Sequence, residues 1–413
     1  MSETTNVMNS EVVKRLLCYV SYDTQSKDES SEVPSTQKQF DLAKVLKKEL
    51  EEIGASDVRL SDHCYVYAKI PSNLDKKVPA IGFIAHMDTS PALSGKDIKP
   101  QIIQNYDGGV IKLGESGFSM GPNEFPALAE LKGKSLITTD GTTLLGADDK
   151  AGVAEIMELA ATLTSDPSIR HGTVKICFTC DEEIGQSTTH LNLEKFNPDF
   201  AYSLDGGEEG EFYYDNFNCG QADVTIHGVV AHTGYAKGRM VNASHLAIEL
   251  DPLAVPANTE NREGFIHLGG IQSEVGIAKM SYIYRDHEMT LYNDKRQQLQ
   301  RIVDFMNAKY GEGTVEINFR DTMFNMRDKI LENPFIIDNA VKAMGELGIE
   351  PVIIPVRGGV DGAEITFMGL PCPNLFTGSD NCHTRFEYCC IQSMQKALSL
   401  ILKLVTNCVE DRA

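Results

Sequence analysis

A chain of 413 residues with 42 % hydrophobic and 23 % charged content has room for two domains and at least one large core. Its 59 acidic residues against 38 basic ones leave a net charge of −21, which argues against nucleic acid or an anionic membrane as a partner and suits metal ions or small cationic groups. No apolar run approaches the roughly 20 residues of a bilayer span, the opening "MSETTNVMNSEVVKRL" lacks a signal-peptide core, and ten dispersed cysteines fit a reducing cytosol, so a cytoplasmic protein is expected.

The first elements alternate. "STQKQFDLAKVLKKELEEIG" places Phe40, Ala43, Leu46, Leu50 and Ile53 on one helix face, with Gly54 as its stop. "PAIGFIAHMDT" is a buried strand ending in polar residues. "KAGVAEIMELAATL" is a helix with Val153, Ile156, Met157 and Ala160 inward, and "TVKICFT" and "DFAYSLDGG" are further strands. Strands alternating with helices imply an α/β fold, a mostly parallel twisted sheet flanked by helices.

From about Phe212 the rhythm changes to β-α-β-β-α-β, the split pattern of a small α+β domain: "QADVTIHG", "MVNASHLAIEL", "GFIHLGG", "GIAKMSYIYRD", "KRQQLQRIVDFMNAKYG" and "GTVEINFRD". The helix "NPFIIDNAVKAMGELG", the strands "PVIIPV" and "NLFTG" and the helix "CIQSMQKALSLILKLV" then resume α/β alternation. The economical division is a catalytic domain in two segments, 1–211 and 325–413, interrupted by an inserted domain, 212–324.

Polar residues collect where these strands end, which is where open α/β sheets place their sites. His86-Met87-Asp88 ends "AIGFIA", Asp148-Asp149 precedes a helix, Asp181-Glu182-Glu183 follows "TVKICFT", Asp205 ends "FAYSL", and His383 follows "NLFTG". Singly, each has an ordinary role: His86 a core histidine, Asp205 a turn residue, Asp148 a helix cap, Glu182 a solvated acid. Jointly, they point to metal. Adjacent buried carboxylates repel one another, and a cation resolves the conflict. Imidazole with carboxylate is a zinc ligand set, and the donors are too many for one tetrahedral ion. They suit two ions about 3.5–4 Å apart, bridged by a carboxylate. In His-x-Asp on a strand both side chains share a face, so Asp88 could brace His86. With Glu183 on metal, Glu182 could handle protons. Cys177-x-x-Cys180 lies along a strand, where its two thiols point to opposite faces, and is not a metal pair. His63, His171, His190, His245 and His267 lack partners and are structural.

The segments "AHMDT", "TTDGTTLLGADDKAG", "DEEIG", "LDGGEEGE", "AHTGYAKGRMVNA", "RDHE", "RGGVDGA" and "CHTRFE" resemble, in order, the motifs of the peptidase T family. These are cytosolic tripeptide aminopeptidases related to carboxypeptidase G and succinyl-diaminopimelate desuccinylase, and the resemblance covers nearly the whole chain. It implies a zinc exopeptidase-like fold and two zinc ions per subunit, with cobalt or manganese as substitutes. By position, His86, Asp205 and a bridging Asp148 would hold one ion, and Asp148, Glu183 and His383 the other. Asp88 would orient His86, and Glu182 would be the general base. A cis peptide after Asp148 is also implied. His232 would donate to the developing oxyanion, in some relatives across a dimer interface, so a homodimer is expected. A substrate C-terminal carboxylate needs a bidentate cation, which Arg285 or Arg357 could supply, with Arg357 favoured.

Cys180 stands where the family often has proline, Gln186-Ser187 where small glycine-rich sequence is usual, and Cys382-His383-Thr384 where aromatic-His-Gly is typical. These departures bear on loop conformation and remove no ligand. The expected activity is hydrolysis of the N-terminal peptide bond of tripeptides with a free N-terminus. The nearest rival is a related carboxypeptidase or N-acyl amino acid deacylase. A non-catalytic binding protein of the same fold is a rival of another class, and it would be expected to have lost Glu182 or a ligand.

Overall fold

The computed structural model describes residues 10–251 and 259–410. The chain forms two compact units, one from Met1–Tyr213, Lys329–Ile354 and Ile365–Ala413, the other from Tyr214–Asp328 and Pro355–Glu364. The second unit thus extends a little past the insert read from the pattern, 212–324, and recruits a short stretch from far along the chain.

The first unit is built on an eight-stranded sheet. Its strands run, edge to edge, Ser56–Leu60, Val66–Ile70, Val174–Thr179, Ile81–His86, Phe200–Gly206, Asn374–Phe376, Glu211–Asn216 and Val352–Val356. The four central strands, from Val174–Thr179 to Asn374–Phe376, pair in parallel. The hairpin Ser56–Leu60/Val66–Ile70 joins one side antiparallel, and Glu211–Asn216 the other. The α/β class therefore stands, with the parallel arrangement confined to the centre. Ile81–His86 is buried at every position, with strand neighbours on both edges and the helix Ala147–Ser165 packed against it, which explains its unbroken apolar run.

The helix Ala147–Ser165 packs on this sheet and is buried nearly all round, well beyond the inward face of Val153, Ile156, Met157 and Ala160. Gly152 is the reason it can come so close: a Cβ there would meet the Leu204 carbonyl oxygen at 2.2 Å. The helix Gln39–Ile53 ends at Gly54 in the left-handed conformation, φ 91°, as expected. It buries Leu42, Ala43, Leu46 and Leu50, while Phe40 and Ile53 are half-buried at its ends. A small antiparallel sheet orders Ser379–Asp380, Tyr388–Cys390, Leu136–Thr138 and Gln101–Ile103. Cys390, the first residue of the segment read as the closing helix, instead ends a short strand with Cys389, just before the helix Ile391–Glu410. All ten cysteines are free thiols.

The second unit follows the β-α-β-β-α-β order: strand Asn218–His227, helix Ala243–Leu250, strands Phe265–Ser273 and Ile277–Asp286, helix Met289–Tyr310 and strand Val315–Met323. Its sheet is antiparallel throughout, and its core joins alternate strand residues such as Val224, Ile226, Met280 and Tyr282 to the helix residues Leu246, Leu299 and Val303. Among the described residues, no helix is long and apolar enough to cross a membrane.

Candidate metal centre

Parallel register brings the strand-end residues level. His86 lies opposite Thr179 on one neighbour. On the other neighbour Ile84 lies opposite Ser203, so two residues further on His86 and Asp205 meet on the same face. Just past Thr179 the chain turns through Asp181, in the left-handed conformation with φ 58°, into the short 3-10 turn Glu182–Ile184. Asp148 arrives from the first turn of Ala147–Ser165, where it leaves helical geometry, and its peptide bond to Asp149 is cis. His383 sits at φ 63° in the loop between Ser379–Asp380 and Tyr388–Cys390.

The side chains converge. Asp148 faces two imidazoles at once: Oδ1 is 3.0 Å from His86 Nε2, and Oδ2 is 3.0 Å from His383 Nε2. Glu183 Oε2 lies 2.7 Å from His383 Nε2. Asp205 Oδ1 lies 3.6 Å, and Glu182 Oε2 3.9 Å, from His86 Nε2. The far nitrogen of His86, Nδ1, is 3.1 Å from the Asp88 carbonyl oxygen and 3.4 Å from its carboxylate. That carboxylate also accepts the backbone N–H groups of Glu182 and Glu183, so Asp88 ties the histidine to the glutamate turn.

So many carboxylates in so little space perturb one another. Burial and the charge of Asp148 push Glu183 up to about 7. Asp149 is raised by burial and by Asp205, and Asp205 by burial. For Asp148 burial acts upward, but hydrogen bonds to His383 and His86 prevail and hold it low. Burial opposes charge on His86, yet Asp148, Asp205 and Asp88 lift it well above the usual imidazole range. Hydrogen bonds to Asp148 and Glu183 take His383 up to about 11. Without a metal, burial and mutual repulsion favour protonation within this cluster. A cation fits the donor set. One oxygen of each of Asp148 and Glu183 lies with a His86 nitrogen within 4.8 Å of one another, and Glu183 Oε1 is buried without a hydrogen-bond partner.

Other residues shape this centre without a signal in the pattern. Glu387, fully buried, accepts the backbone N–H groups of Leu145, Gly146 and Asp148 at 2.7, 2.9 and 3.1 Å and so holds the loop that delivers Asp148. Asp149 accepts from the N–H groups of His86 and Gly152. Lys150 is buried, donates to the Tyr22 carbonyl at 2.8 Å, and is brought down to about 7 by burial. The hints were the quoted segments themselves: Glu387 stands in "CHTRFE", and Asp149 and Lys150 stand in "TTDGTTLLGADDKAG". Of the departures, Cys180 is buried with its thiol 3.2 Å from the His63 carbonyl, and Gln186 donates to the Ser30 carbonyl at 3.0 Å.

His232, Arg285 and Arg357 belong to the second unit. His232 is exposed, accepts from the Gly234 N–H at 3.1 Å and leans on Tyr235. Arg285 donates to the Arg357 carbonyl at 3.1 Å. The Arg357 guanidinium lies over Phe217 and donates to the carbonyls of Thr259, Asn261 and Glu263, so it is engaged by its own unit.

Comparisons with known proteins place the chain in a family. Peptidase T of Alkaliphilus oremlandii is 49 % identical over 401 residues, covering 95 % of this chain and 98 % of that protein. Two solved structures share the fold, each with a TM-score of 0.76 over 97 % of this chain and 98 % of theirs: aminopeptidase PepT from Bacillus cereus, 23 % identical, and a tripeptidase from Staphylococcus aureus, 22 % identical. The family model for Peptidase family M20/M25/M40 matches residues 138–407, a span holding Asp148, Glu182, Glu183, Asp205 and His383. A strand-end cluster of this composition, on this fold, in a chain of this ancestry, makes the protein a member of Peptidase family M20/M25/M40, a hydrolase.

Proposed function

We propose that this protein is a dinuclear zinc aminopeptidase that hydrolyses the N-terminal peptide bond of tripeptides. One observation carries the dinuclear reading: the two oxygens of Asp148 face two different histidines, each at 3.0 Å. His86, Asp148 and Asp205 would hold one ion, and Asp148, Glu183 and His383 the other. Bound there, two divalent ions would supply Lewis acidity and make water acidic enough to give up a proton near neutral pH. Glu182, close to this group but more exposed than Glu183, would accept that proton and return it to the leaving amine. Asp88 would fix the ring of His86 and, through the N–H groups of Glu182 and Glu183, the position of the base. The surplus of carboxylates suits a substrate with a free ammonium group.

His232 is the proposed donor to the developing oxyanion, and Arg285 or Arg357 the proposed partner of the substrate's C-terminal carboxylate. For Arg357 this requires exchanging contacts it makes to Thr259, Asn261 and Glu263. The names of the relatives, Peptidase T and a tripeptidase, support the length preference.

The test is a panel of di-, tri- and tetrapeptides, each free, N-acetylated and C-terminally amidated, assayed with added zinc, cobalt or manganese. Turnover of free tripeptides well above the rest is expected, with acetylation abolishing it and amidation raising KM. Preference for N-acetylated substrates would replace the reading with that of a deacylase. Release of the C-terminal residue first would make the protein a carboxypeptidase.

A further inference from the structure

The first acid of the run Asp181-Glu182-Glu183 is accounted for by neither metal nor proton transfer. Asp181 sets the turn: it is fully buried and holds φ 58°, a conformation that Asp and Asn tolerate better than other side chains. Its carboxylate is occupied by a segment from early in the chain. Ser35 gives it a backbone N–H at 2.6 Å and a hydroxyl at 2.5 Å, and Gln39 an amide at 2.6 Å. These are short, charge-assisted contacts. The Asp181 carbonyl accepts the Gln186 N–H at 2.9 Å, closing the turn, and the Gln186 side chain reaches back to Ser30.

The same early segment grips the loop that carries Asp88. The Ser26 N–H donates to the Thr89 carbonyl at 3.1 Å, and the Gln25 amide donates to the carbonyls of Ser90 and Leu93. One strap, residues 24–39, therefore ties both strand-end loops. Glu182 is held from two sides, by Asp88 on its own N–H and by Asp181 immediately before it.

We propose that Asp181 is a positioning residue: its carboxylate, gripped by Ser35 and Gln39, holds the left-handed turn that aims Glu182, and through it the strap governs turnover. The proposal rests on the reading of Glu182 as the base, and the two can fail separately. Asp181→Asn is the informative change. Asn keeps the size and the tolerance for positive φ, but it loses the charge and turns an amide nitrogen toward donors.

The measurement is kcat, KM and bound metal for wild type, Asp181→Asn, Glu182→Gln and the double variant. Asp181→Asn alone is expected to lower kcat by about 10–100-fold, the scale of a small misplacement, with KM and metal content unchanged. In the Glu182→Gln background it should cost nothing further, because the group it aims is already gone. Equal losses in both backgrounds, loss of metal, or unchanged kcat would overturn the proposal. Full turnover by Glu182→Gln alone would instead remove the base assignment, and the proposal with it, for a visibly different reason. If Asp181→Asn does not fold, Ser35→Ala removes one donor from a half-buried residue. It should show the same non-additivity at about 2–10-fold, the worth of one hydrogen bond, and additive losses would again overturn the proposal.

Discussion

Two neighbouring glutamates with the same chemistry stand in different surroundings, and that difference supports the different work proposed for each. The Glu183 side chain is only 3 % exposed and touches His383 at 2.7 Å, whereas that of Glu182 is 20 % exposed and lies 3.9 Å from His86 Nε2. A buried carboxylate against an imidazole suits a ligand, and a more exposed one suits proton transfer. Glu183→Ala should therefore weaken metal binding and be partly rescued by excess zinc. Glu182→Gln keeps shape but cannot take a proton, so metal content should stay at the wild-type level while kcat falls by roughly 10²–10⁴ with little change in KM. Metal analysis and steady-state kinetics on the two variants check this, and the opposite pattern would reverse the roles. His86, Asp88, Glu182, Glu183, Asp205 and His383 were legible as candidates in the sequence because each ends or follows a strand whose apolar run is plain, and Asp148 because it opens a plain helix. Glu387 was not. It acts on Leu145, Gly146 and Asp148 from more than 200 residues away, and its partners are backbone groups, which carry no residue-type signal.

Elements were legible in proportion to their length and periodicity. The helices Gln39–Ile53 and Ile391–Glu410 and the strands Ile81–His86, Val174–Thr179 and Phe200–Gly206 announce themselves, as does the β-α-β-β-α-β order of the second unit, whereas Ser56–Leu60, Val66–Ile70 and Glu211–Asn216 of the same large sheet went unread. The two- and three-residue strands of the small sheet do not, since so few residues cannot display alternation. Nor could local pattern show that Pro355–Glu364 belongs with the second unit, because that membership is a long-range fact. The helix Ala147–Ser165 is the element on which the centre depends most, for it carries Asp148 and crosses the strand that carries Asp205. Gly152 allows that crossing. In Gly152→Ala the new methyl would meet the Leu204 carbonyl and the Asp149 carboxylate. Overpacking of this kind costs about 1–3 kcal/mol. The denaturation midpoint should drop accordingly, and metal affinity with it. A variant as stable as wild type would show that the close approach is not required.

At the scale of the whole molecule, a chain with a net charge of −21 has packed a knot of carboxylates into its interior, and a cation is what relieves it. Metal and protons then compete. His86 and His383 stand above their ordinary range because carboxylates surround them, with His383 up to about 11, so the metal-free protein favours the protonated imidazoles. Raised imidazoles stabilise the metal-free fold below their unfolded value near 6.5, and that contribution is lost as pH rises through the folded value. Metal binding must expel the same protons and so gains with pH. The rise in Tm on adding zinc should accordingly be larger at pH 8 than at pH 6, and an equal or reversed response would contradict the ligand set. The most direct test of the central claim is anomalous diffraction at the zinc edge from crystals of the zinc-loaded protein. Two peaks about 3.5–4 Å apart are expected, one against His86, Asp148 and Asp205 and the other against Asp148, Glu183 and His383. A single peak, or a second peak away from these residues, would contradict it.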